Sequence, residues 1–87
     1  MKPNTPHRQL RAAYKLMVEK GYEVFGETYC AEAYEELPLR KGENEVFFFY
    51  FQEDRSITMA HNFEKGTYAF THLYWVYNEA TLRGGYV

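Results

Sequence analysis

Glu45-Val46-Phe47-Phe48-Phe49-Tyr50-Phe51-Gln52 decides the architecture of this 87-residue chain. Ring-bearing residues favour extended backbone and polar residues bound the run, so it reads as a strand over 45–52. Alternation sends Val46, Phe48 and Tyr50 to one face and Phe47, Phe49 and Phe51 to the other. Apolar residues on both faces predict a central strand covered on both sides. The apolar run from Val46 to Phe51 falls far short of the ~20 residues that span a bilayer.

Downstream, Glu53-Asp54-Arg55-Ser56 is a polar turn, and Ile57–His61 returns antiparallel to the central strand. Asn62–Gly66 is a second turn. The composition of residues 67–82 suits a strand, but Ala69, Phe70, Leu73, Val76, Tyr77 and Ala80 fall on one helical face. Arg83-Gly84-Gly85 ends a helix well. The period is the stronger cue and predicts a helix over 68–82, with Tyr74 and Trp75 projecting away from the inner face; the extended alternative stays open.

Upstream, Arg40–Asn44, with Lys41-Gly42, is a turn or loop. Before it, Cys30, Ala33, Tyr34 and Leu37 recur at i, i+3, i+4 and i+7, with Thr28 as a cap and Pro38 as a stop. That pattern predicts a short helix over 29–37 with Glu32, Glu35 and Glu36 outward. Tyr22–Phe25 reads as a short strand stopped by Gly26. A first helix over about 6–20 is opened by Thr5-Pro6, carries Leu10, Ala13, Tyr14, Met17 and Val18 on one face, and ends at Gly21. The expected fold is a single α+β domain over 1–87, residues 1–4 forming a loose N-terminus. A short antiparallel sheet centred on 45–52 packs against two or three helices.

The net charge of −2 hides a polarised chain. Residues 1–20 carry five cations against Glu19, and residues 21–54 carry nine acids against Arg40 and Lys41. Glu27, Glu32, Glu35, Glu36, Glu43 and Glu45 form an acidic row suited to a basic partner. Its bland counterpart is a solvated helix face. Nine Tyr, seven Phe and one Trp make up 20% of the chain. Each covered ring removes ~150–250 Å² from water, more in sum than so short a chain has interior to hide. Phe47, Phe49, Phe51, Tyr74 and Trp75 are therefore the expected exposed aromatic patch, a surface for self-association.

Signatures of catalysis are absent. Cys30 has no thiol-enzyme context and is read as a small buried core residue; a thiol-dependent enzyme at Cys30 is the remote alternative. As the single cysteine it forms no internal disulfide, which with no signal-peptide pattern predicts a cytoplasmic protein. His7, His61 and His72 have no metal-ligand spacing and read as surface or hydrogen-bonded residues, so no metal or cofactor is expected. Arg8, Arg11 and Lys15 share a helical stripe that could contact phosphates, but the aromatic strand lacks the interleaved cations of a base-stacking groove. Nucleic-acid binding through that stripe is the second reading. The first is a non-enzymatic protein-binding module: a homo-oligomer through its rings, and an inhibitor of a basic, nucleic-acid-handling protein through its acids. The analogy is to small phage-type inhibitors, in size and charge alone.

Overall fold

The computed structural model describes residues 7–26, 29–30 and 33–85. Helix α1 (Arg8–Val18) is followed by β1 (Glu23–Val24), β2 (Tyr29–Cys30), β3 (Tyr34–Lys41), β4 (Asn44–Phe51), β5 (Ser56–His61) and helix α2 (Tyr68–Gly85). The strands form one antiparallel sheet in the order β1-β3-β4-β5, with β2 pairing β3 beyond β1. This is a small α+β domain, as expected. Among the described residues no helix is long and apolar enough to cross a membrane.

The elements end where backbone chemistry requires. After α1, Gly21 takes φ +94°. Its N–H bonds the Val18 carbonyl at 2.9 Å, and the Tyr22 N–H bonds the Met17 carbonyl at 3.2 Å. That is a Schellman ending, in which a left-handed residue satisfies two last-turn carbonyls. At the start of α2, Thr67 caps the helix by accepting the Phe70 N–H on Oγ1 at 3.1 Å. The sequence-predicted cap Thr5-Pro6 of α1 and the loose end 1–4 lie outside the described residues.

The predicted helix over 29–37 is a correction: the described residues there include β2 and the start of β3, and none is helical. Pro38 does not stop β3, because of where its nitrogen faces. Residues 35, 37, 39 and 41 turn their backbone groups toward β4, so Pro38 faces the other edge. There the Phe25 N–H donates to the Pro38 carbonyl at 3.2 Å, and the reciprocal donor is the one proline lacks. The edge strand splits at this point. Gly26 takes φ +70°, and on β3 only Leu37 and Pro38 lie between the positions paired with β1 and those paired with β2.

Register assigns the two sheet faces. Leu37, Leu39, Val46, Phe48, Ile57 and Met59 point inward. They pack with Leu10, Ala13, Leu16 and Met17 of α1 and Leu73, Val76 and Ala80 of α2. Tyr77 of α2 donates its hydroxyl to the Ile57 carbonyl at 3.0 Å, tying the helix to the edge strand. The predicted inner face of α2 is the observed one. On α1, Leu16 is buried and Val18 exposed, the reverse of the expected pattern. Strand β4 is central, but among the described residues both helices lie on its Val46–Phe48 face, so helices cover one side and not both.

Candidate functional site

The face of the sheet turned away from the helices gathers residues from three strands and the end of a fourth. β4 contributes Glu45, Phe47, Phe49 and Phe51. β3 contributes Tyr34, Glu36, Pro38 and Arg40 opposite them. Glu23 pairs with Arg40 in register, and Phe25 follows opposite Pro38. β5 adds Ser56, Thr58 and Ala60, none of them charged.

The rings shield one another. Phe25 meets Phe47 edge-on at 5.5 Å, and the Arg40 guanidinium lies 5.2 Å above the Phe25 ring. Tyr34 contacts Phe49 at 6.0 Å and Phe51 at 5.6 Å, while Phe49 and Phe51 lie 6.3 Å apart. Such pairs are favourable beyond their burial. They explain how Phe47, Phe49 and Phe51 are half-buried with no helix above them. At one end a hollow of about 220 Å³ is lined by Glu45, Phe47, Ala60, His61 and Asn62. Asn62 anchors this corner, donating to the Glu43 carbonyl and accepting the Glu45 N–H, both at 2.8 Å.

The two surfaces expected from sequence are rearranged. Glu36 and Glu45 of the acidic row share one face with Phe47, Phe49 and Phe51 of the aromatic patch. Glu43 is exposed in the β3–β4 turn. Glu35 is a correction: strand alternation turns it inward, where it is buried with Oε1 3.9 Å from His7 Nε2 and Oε2 without a hydrogen-bond partner. The His7 ring covers this corner by stacking on Tyr50 at 3.9 Å. Glu27 and Glu32 lie outside the described residues. Cys30 takes the register position opposite Glu35; the core reading of its side chain also lies outside what is described.

Tyr74 and Trp75 do not join the phenylalanines, because they lie on the helix layer. Tyr74 is held by His61: the ring accepts the Phe63 N–H on Nδ1 at 3.0 Å and donates from Nε2 to the Tyr74 hydroxyl at 3.2 Å. Trp75 is 49% exposed. Arg8, Arg11 and Lys15 are exposed on α1, a different layer from the sheet rings. His72 is buried, and its Nε2 has no hydrogen-bond partner. Sequence reasoning missed Glu23, Phe25, Tyr34 and Arg40. The signal for the latter two was the Gly42 turn, which makes 34–51 one long hairpin. Among the described residues no three His, Cys, Asp or Glu side chains are grouped to hold a metal ion.

No protein-family model, curated protein or solved structure matches the chain.

Proposed function

We propose that this chain is a non-catalytic protein-binding module whose interface is the outer face of the sheet. One observation carries the reading: rings and carboxylates occupy the same face, and no described helix lies over it. Phe25, Tyr34, Phe47, Phe49 and Phe51 supply apolar contact, while Glu23, Glu36 and Glu45 outnumber Arg40. The complement is an apolar surface edged with Lys or Arg, as on a basic, nucleic-acid-handling protein. The carboxylates disfavour phosphate, and the Arg8–Lys15 stripe is on the other layer, so direct nucleic-acid binding is the weaker reading. They also disfavour two copies meeting face to face, where like charges would be desolvated together. The single cysteine suits a reducing, cytoplasmic setting.

Strand spacing and rise make the face roughly 19 by 26 Å, or about 500 Å². A standard interface takes about 800 Å² from each partner, so the complex belongs to the smaller, reversible class unless the partner also grips an edge. The test is affinity capture with the full chain, followed by titration of the captured protein at two salt concentrations. Phe49→Ser with Phe51→Ser, and separately Glu36→Lys with Glu45→Lys, should each weaken binding at least tenfold. Arg8→Ala with Arg11→Ala should leave it unchanged. A partner indifferent to both face variants, or a chain that sediments as a dimer until Phe49 is replaced, would refute the basic-partner reading.

A further inference from the structure

The helix layer carries a second surface that the sheet-face reading does not use. Between the end of α1 and the first two turns of α2 lies a cleft of about 360 Å³, lined by Lys20, Tyr68, Thr71, His72 and Trp75. Positions 68, 71, 72 and 75 are spaced i, i+3, i+4 and i+7, so α2 presents them on one face. Their rings run nearly parallel: Tyr68 and His72 are 6.4 Å apart at 18°, and His72 and Trp75 6.0 Å apart at 29°. Tyr68 is 74% exposed, a large ring left in water beside an exposed tryptophan. Between them His72 is only 8% exposed, and its Nε2 has neither solvent nor a hydrogen-bond partner.

The charge at the cleft is positive. Lys20 lines it, and Lys41 is drawn in by donating from Nζ to the Lys20 carbonyl at 2.7 Å. Burial first, and then the Lys20 and Lys41 charges, hold the His72 imidazole below its ordinary range. The first turn of α2 has no acidic residue, and the positive end of the helix dipole lies there. An aromatic cage for a cation would need the opposite field. The volume lies at the small end of the ~300–1,000 Å³ range of ligand pockets.

We propose that this cleft binds a small planar aromatic anion, its ring against Tyr68 and Trp75 and its negative charge toward Lys20. Two sources share that chemistry, an aryl carboxylate and a nucleoside monophosphate. Trp75 is the only tryptophan in the chain, so its fluorescence reports occupancy directly. The full chain is titrated with phenylacetate and with adenosine monophosphate. Their uncharged counterparts, phenylacetamide and adenosine, and the cation phenethylamine are the controls. The expected result is a saturable change with one of the anions at a Kd of about 1 mM, absent with the neutral and cationic compounds. Which anion responds names the source. Lys20→Gln, a change at an exposed side chain, should weaken that binding at least threefold, and Tyr68→Ala should do the same. No saturable change with either anion, equal binding of the neutral compounds, or an unaltered Kd in Lys20→Gln would overturn the proposal.

Discussion

Phe48 and Phe49 are neighbours in β4 with opposite surroundings, and replacing each by alanine separates the two faces of the sheet. Phe48 is fully buried, with Leu37 and Met59 beside it in register and both helices contributing to the same core. Removing so enclosed a ring costs about 3–5 kcal/mol, cavity included. At ~0.05–0.15 kcal/mol per residue the whole domain is stable by about 4–13 kcal/mol, so Phe48→Ala removes a large share of it. Phe49 is half-buried and loses chiefly its contacts with Tyr34 and Phe51. The expected loss for Phe49→Ala is about 1–2 kcal/mol. A gap of about 2–3 kcal/mol in a domain this size separates the two melting temperatures by roughly 8–24 °C. Urea denaturation followed by Trp75 fluorescence, at two protein concentrations, measures both variants on one scale. Equal losses would refute the assignment of faces, because Phe49 would then be as enclosed as Phe48. A wild-type midpoint that rises with concentration would mean a second copy supplies the cover.

Three further outcomes test the frame around that sheet. Gly21→Ala forces a side chain into φ +94° with its Cβ 3.3 Å from Lys41 Cε, and should lower stability by about 1–2 kcal/mol in the same urea assay. Thr67→Ala removes the cap of α2 and should cost about 1 kcal/mol, while Thr67→Ser should retain most of it. Burial and two lysines depress the folded-state pKa of His72, so the unfolded chain takes up a proton first as the pH falls. Its contribution to stability is therefore complete above the ordinary imidazole pKa near 6.5 and is lost as the pH falls toward the folded-state value. Wild type should lose more stability than His72→Phe between about pH 7.5 and about pH 5.5; equal losses would refute the assignment.

Much of the fold could be read from local patterns. The strand at 45–52, the helix whose left-handed ending needs Gly21, and the helical period of 68–82 each rest on neighbours within a few residues. The segment 29–37 carries a misleading local pattern: Cys30, Ala33, Tyr34 and Leu37 match a helical spacing by coincidence, and Pro38 is a stop in a helix. In β3 its missing donor faces the edge where Phe25 departs, a circumstance that depends on which strand lies beside it. The better signal was Gly42, at φ +61° between Lys41 and Asn44, which makes β3 and β4 a hairpin with a two-residue turn.

The site was legible only in its ingredients. Composition alone announces surplus rings and an acidic middle, because counts of residue types need no coordinates. Whether they cooperate is a matter of pairing and parity. One step along β3 separates buried Glu35 from Glu36 on the outer face, and inter-strand register puts Glu36 opposite Phe49. Tyr74 and Trp75 went to the helix layer for a related reason. The face of α2 that the core claims leaves Trp75 exposed and sets Tyr74 against His61 at the end of β5, away from the phenylalanines, and that choice is made by packing between elements distant in the chain.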